Sequence, residues 1–184
     1  RREIQPYLEE HPALLRPANY PEGCYGSGWY RLDLGFASLL VINVMGQVYL
    51  DPIGSPFFCC DRILKEVHAD CTIVDFHAEA TGEKMALAYY LDGRVSAVAG
   101  THTHVQTADE TILPQGTGYI SDLGMTGPIA SILGVNPDCI VRRMTTCLPT
   151  RFEVPDSPCK MEGIILELNQ KTGKCVKISR FRLS

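Results

Sequence analysis

No stretch of this 184-residue sequence stays apolar long enough to cross a bilayer. The longest run, Phe36 to Met45, is broken by Ser38 and Asn43, short of the roughly 18 to 20 residues a spanning helix needs. The opening segment "RREIQPYLEE" lacks the apolar core of a secretion signal. Eight cysteines are present, yet no pair has the C-x-x-C spacing of a zinc knuckle or dithiol redox motif, so they are expected to pack as small buried hydrophobes. A cytoplasmic protein is the expectation. Basic clusters are missing too: 17 Lys and Arg are scattered among 21 Asp and Glu, for a formal net charge of -4. That balance gives duplex nucleic acid and anionic membranes no electrostatic footprint. Internal repeats and low-complexity tracts are absent. With 45% hydrophobic residues, the chain can bury a core as one domain spanning 1–184.

Hydrophobic patterning divides the chain into an α/β middle and a β tail. Residues 3–10 read as the end of a helix. Pro12, Pro17 and Pro21 then impose a long irregular stretch. "WYRLDLGFASLLVINVMG" predicts an antiparallel strand, a turn near Gly35 and a buried strand. Spacing at Phe58, Ile63, Leu64 and Val67 predicts a helix over 57–69, which places His68 near its end. "CTIVDFHAEAT" and "TGEKMALAYYLDG" predict a strand, a threonine cap and a helix closed by glycine. "VSAVAGTHTHVQ" is the next strand. Pro137 opens a further helix. From Arg151, "TRFEVP", "MEGIILELN" and "CVKISRFRLS" predict an antiparallel β tail over 151–184, with "QKTGK" as a turn.

The chemistry-bearing residues are three histidines. In an extended segment, residues i and i+2 share a face, so His102 and His104 are expected to point the same way. A lone H-x-H serves one zinc, or one ion each of a pair, or nothing at all. His77 shifts that balance because it ends the preceding predicted strand. In an open α/β sheet, ligands gather beyond the carboxyl ends of the strands, so two successive units deliver three histidines to one rim. Asp75 and Glu79 flank His77 as candidates to orient an imidazole, and a plain loop role fits them equally. Arg16 and Asn19 in "RPAN", with Gly124 and Thr126 in "DLGMTG", are candidate mouth residues, the arginine for phosphate and the glycines for backbone approach to an anion.

The order His, helix, Gly-x-His-x-His resembles the last two metal-binding motifs of the calcineurin-like metallophosphoesterases. The longer strings "LLRPANYPEG", "DFHAEATGEKMALAYYLDGRVSAVAGTHTHVQTAD", "ILPQGTGYISDLGMTGP" and "ILGV" resemble the bacterial YmdB-type branch through nearly the whole chain. The resemblance implies part of an αββα sandwich, two packed mixed sheets flanked by helices. It also implies two divalent ions, iron or manganese first and zinc or magnesium as alternatives, and a small phosphodiester substrate such as a 2′,3′-cyclic nucleotide. His77 and His102 would share one ion, and His104 would hold the other. The ions would bind phosphoryl oxygens and activate water for in-line attack.

The branch also carries Gly-Asp-Val, Gly-Glu-Asn and Gly-Asn-His motifs, the last with the catalytic acid histidine. None occurs here, and asparagines 19, 43, 136 and 169 do not precede a histidine. The resemblance therefore implies a chain matching the family's C-terminal two-thirds, with the catalytic histidine upstream of Arg1. Little activity is expected from it alone. A homo-oligomer is expected where an unpaired sheet edge and uncovered apolar surface remain. The alternative is a metal-binding regulatory module without turnover.

Overall fold

The computed structural model describes residues 3–184. Helix α1 (Ile4–Glu10) leads into the proline-bearing segment, which forms no regular element before β1 (Trp29–Asp33). A turn joins β1 to the antiparallel β2 (Ser38–Met45). Gly35 takes φ +80° in that turn, and its N–H is held by Asp33 Oδ1 at 2.8 Å. Glycine alone adopts such a φ without cost.

Leu40, Ile42 and Val44 of β2 are fully buried, alternating as a half-covered strand requires. They meet α2 (Pro56–Glu66), whose buried residues are Pro56, Cys59, Cys60 and Ile63. The predicted helix over 57–69 thus stops three residues early. Phe58, read as part of its inner stripe, is 72% exposed. The error is one of phase: the cysteines supply the stripe as small hydrophobes. His68 lies past the helix, and its carbonyl accepts a bond from Arg31 Nε at 3.0 Å.

Strand β3 (Cys71–His77), helix α3 (Thr81–Tyr90) and strand β4 (Ala97–Thr101) form a βαβ unit parallel to β2. Thr81 lies inside α3, and the N-cap residue Ala80 offers no side-chain bond, so the predicted threonine cap is displaced by one residue. The chain continues through β5 (Thr111–Ile112), β6 (Gly118–Ile120), β7 (Gly127–Pro128), α4 (Pro137–Thr146), β8 (Cys159–Leu168) and β9 (Cys175–Leu183). Pro137 opens α4 as predicted, with the Asn136 side chain accepting the Asp138 N–H at 3.0 Å.

The central sheet is mixed and six-stranded, in the order β1-β2-β3-β4-β6-β5. Helices α2 and α3 cover one face, over a core that includes Val74, Phe76, Leu87, Leu91, Val98 and Tyr119. The second sheet, β7-β8-β9, is antiparallel throughout rather than mixed. It docks beside β5 and β6, where Cys175 N–H donates to the Gly116 carbonyl at 2.8 Å and a side chain at Gly118 would meet Cys175 Sγ at 2.9 Å. "TRFEVP" forms no strand, so the β tail starts at Cys159. Helix α4 buries none of its residues, and the outer helical layer of an αββα sandwich is not completed among the described residues.

One buried ion pair ties these layers together. Lys84 sits in the first turn of α3 and reaches Asp122, just after β6, with Nζ to Oδ2 at 3.1 Å and side chains 2% and 1% exposed. Gly100 makes room between them: a Cβ there would lie 3.0 Å from Lys84 Cδ and 1.8 Å from the Ser121 carbonyl oxygen. Removing one partner of such a pair strands a charge in the interior. Lys84→Ala is therefore expected to lower unfolding stability by about 3–5 kcal/mol, read from the urea midpoint. A loss below about 1 kcal/mol, the range of exposed pairs, would show that the pair does not bind the layers.

Candidate active site

His77 is the last residue of β3, and β4 ends alongside it at Thr101. Strand alternation puts Asp75 and His77 on one face of the sheet, away from α2 and α3. Asp75 pairs across the sheet with Asn43 on β2 and Ala99 on β4. Asn43 Nδ2 donates to Asp75 Oδ2 at 2.7 Å, and Thr101 Oγ1 donates to Asp75 Oδ1 at 3.2 Å. With its proton so committed, Thr101 Oγ1 accepts from His77 Nδ1 at 3.2 Å. His77 is thereby fixed as the tautomer that leaves Nε2 bare, the form a ligating imidazole takes when its other nitrogen is held from behind. Asp75 reaches this histidine through a threonine.

Beyond Thr101 the chain leaves the extended form. His102 and His104 take φ +126° and +63°, conformations that cost a non-glycine residue of order 1–3 kcal/mol and cluster at functional sites. The expected shared face is therefore absent. His102 folds back, its Nδ1 3.0 Å from His77 Nε2, with the two rings edge to face. Its Nε2 meets Glu79 Oε2 at 2.9 Å, so Glu79 orients His102 rather than His77. His104 turns away and contacts the Leu133 carbonyl through Nδ1 at 3.1 Å.

Asp122 imposes this bend. Its Oδ2 accepts the Thr103 N–H, between the two histidines, at 2.9 Å, and its Oδ1 accepts the Gly124 N–H at 3.0 Å. Thr107 adds a bond from the Asp122 N–H to its Oγ1 at 2.9 Å. On the far side, Gln106 Nε2 reaches the Gly163 carbonyl at 2.9 Å, and Glu162 accepts the Met125 N–H at 3.2 Å. Lys84, Asp122, Gln106 and Glu162 are the residues that sequence reasoning missed.

The three histidines line one open cavity of about 560 Å³ with Gly124, Thr126 and Leu133. Gly124 and Thr126 thus share a cavity with the histidines. The Gly124 and Met125 amides are already bonded to Asp122 and Glu162, so they are not offered to an anion. Arg16 and Asn19 lie elsewhere. The Arg16 guanidinium is satisfied by the carbonyls of Pro17, Cys24 and Tyr25 at 2.7–3.3 Å. Asn19 is buried and bonds the backbone of Met45 and Gly54. Both secure the proline-bearing loop, and neither lines the histidine cavity.

Among the described residues, no group of three or more His, Cys, Asp or Glu side chains converges as a ready ion cage. The donors that are present fit the histidine side of one: an unprotonated Nε2 on His77, His102 Nδ1 hydrogen-bonded to it at 3.0 Å, and His104 apart along the same cavity.

An α/β sheet with imidazoles on its carboxyl rim, together with the similarities below, places the protein in the class of metallophosphoesterase-type hydrolases. More narrowly, the chain belongs to the YmdB-like protein family, whose profile matches residues 1–181. It is 45% identical over 186 residues to the 2′,3′-cyclic-nucleotide 2′-phosphodiesterase of Bacillus subtilis (strain 168), covering 100% of this chain and 70% of that protein. The crystal structure of a hypothetical protein from Thermus thermophilus superposes with TM-score 0.94 at 45% identity, covering 100% of this chain and 71% of that one. The structure of a novel phosphatase from Mycoplasma pneumoniae gives TM-score 0.91 at 31% identity, covering 100% of this chain and 68% of that chain.

Burial, and then the neighbouring His102 imidazole, hold the His77 pKa below its ordinary 6.5. Protonating His77 is thus harder in the folded chain than in the unfolded one. Its effect on stability is absent above the unfolded value and becomes a penalty as pH falls through about 6.5 toward the lower folded value. The metal-free protein is expected to lose stability across that window, and His77→Gln to flatten the slope, measured by chemical denaturation at stepped pH. An unchanged slope in the variant would exclude His77 as its source.

Proposed function

We propose that this chain carries the histidine side of a dinuclear metal centre that hydrolyses 2′,3′-cyclic nucleotides. The observation that carries the reading is the His77–His102 pair: two imidazole nitrogens 3.0 Å apart at a sheet's carboxyl rim, with the His77 Nε2 left unprotonated by the Thr101–Asp75 relay and hydrogen-bonded only to His102. His77 and His102 would hold one ion and His104 the other, with iron or manganese as the metals. Such ions supply positive charge for the phosphoryl oxygens and an activated water for in-line displacement. The activity named for the Bacillus relative supports the cyclic-nucleotide substrate.

The chain's own residues have defined tasks in this scheme. Asp75, acting through Thr101, keeps His77 aimed. Glu79 orients His102 from the opposite side, and Asp122 locks the bend that separates His102 from His104. The cavity wall at Gly124 and Thr126 shapes the space in which the phosphodiester sits. A bridging carboxylate and an acid histidine have no counterpart among these groups, so turnover by these 184 residues alone is expected to be slow. That incomplete cage also favours the second reading, a metal-binding module without turnover. A cytoplasmic setting belongs to the same proposal, supported by eight free cysteines, since thiols persist in reducing compartments.

Metal analysis after manganese loading separates the readings. About two ions per chain with measurable cyclic-nucleotide hydrolysis supports the enzyme, and one ion without turnover supports the module. His102→Ala is expected to weaken manganese affinity at the His77 position by about tenfold or more, at least the loss that follows removal of a ligand's hydrogen-bonding partner, and so to lower the metal content. Metal content unchanged in that variant would sink both readings together.

A further inference from the structure

The cavity that holds the histidines is also lined by apolar side chains. Met125, Leu133, Val135 and Val154 line the same space as His77 and His104. Leu133 is 49% exposed and Val154 76%, an unusual display of apolar surface beside polar ligands unless something covers it. The volume, about 560 Å³, falls in the range of small-ligand sites. A bare phosphate would leave these apolar side chains uncovered.

Leu133 is held there against its own backbone preference. Ile132 and Val135 exchange both backbone hydrogen bonds, at 2.9 and 3.0 Å, around a two-residue turn in which Leu133 has φ +52° and Gly134 φ +96°. Two left-handed central residues define the turn type that asparagine or glycine normally fills. A branched aliphatic residue in the first of these places costs stability and presents its side chain at the turn's tip. Its carbonyl meanwhile accepts from His104 Nδ1 at 3.1 Å, so the turn is fastened directly to the metal-ligand candidate.

We infer that this apolar wall, with Leu133 at its centre, seats the nucleoside of the substrate while the histidines take its phosphate. Leu133 is thus a specificity-determining residue, selecting phosphate esters of a flat apolar-faced group over small phosphates. The inference rests on the phosphoester reading of the histidine site and adds to it where the organic part of the substrate lies.

Calorimetric titration of the whole chain in the presence of manganese, with inorganic phosphate and adenosine 3′-phosphate as probes, tests it. The wild-type protein is expected to bind adenosine 3′-phosphate more tightly than inorganic phosphate. Leu133→Asn and Leu133→Gly both suit left-handed backbone and leave the carbonyl to His104 in place. Each is expected to weaken adenosine 3′-phosphate about tenfold, the loss of one leucine-sized apolar contact, with inorganic phosphate unchanged. Leu133→Gly should also raise the melting temperature by about 2–4 °C through relief of the backbone, which rules out misfolding as the cause of weaker binding. Equal losses for both probes would mean that the turn acts through His104, and the inference falls. Equal wild-type affinity for the two probes overturns the apolar seat while leaving the phosphate site standing. Binding of neither probe overturns both.

Discussion

The buried Lys84–Asp122 pair is the constraint from which the rest of the site follows. An unpaired charge in that interior would be costly, and the pair is tolerable because Asp122 also accepts two backbone N–H groups, from Thr103 and Gly124, so that its lone pairs are used rather than merely neutralised. Lysine brings the anchor from the helix after β3, and the aspartate carries it to the loops after β4 and β6. The helix layer, the sheet and the histidine loop are thereby fixed to one another through a single carboxylate. The positive φ values at His102 and His104 are sustained by that anchor, since a free chain would relax to the extended form.

The sheet supplies the second half of the geometry. Asn43, Asp75, Thr101 and His77 form a hydrogen-bonded row across three adjacent strands. A polar row on a sheet face is stable when each donor meets an acceptor, and here every link does. The imidazole at its end inherits the rigidity of paired strands. Glu79, arriving from the β3–α3 connection, fixes the second imidazole from outside.

Much of this was legible from residue order. Alternation found β1, a continuous apolar run found β2 and a short β-branched run found β3, because half-covered and buried strands differ in how their apolar residues repeat. Histidines at the ends of successive predicted strands come together in the structure, His77 and His102 in direct contact. The orientation of His102 and His104 was not legible, since the bend after Thr101 comes from Asp122, 19 residues beyond the Thr103 amide it holds, and strand logic cannot register that. Lys84 did leave a trace: it stands in line with Leu87, Ala88 and Leu91, the apolar stripe of α3, where a lysine has no business unless paired. Arg16 misled for the opposite reason. An arginine in a proline-bearing loop has as many carbonyls within reach as a phosphate would offer acceptors, and here the loop took it. Phe58 shows how two adjacent cysteines can shift the phase of a helix by acting as its inward hydrophobes.

The row from Asn43 to His77 joins strands that are far apart along the chain and become neighbours when the sheet closes. No local fragment, whether hairpin, helix or turn, reproduces it. An ion held at its end would interact with the assembled tertiary structure and find no equivalent in the denatured ensemble, so metal occupancy and global folding would share one cooperative transition. Release of the ion would then report collapse of the sheet itself rather than fraying of a loop.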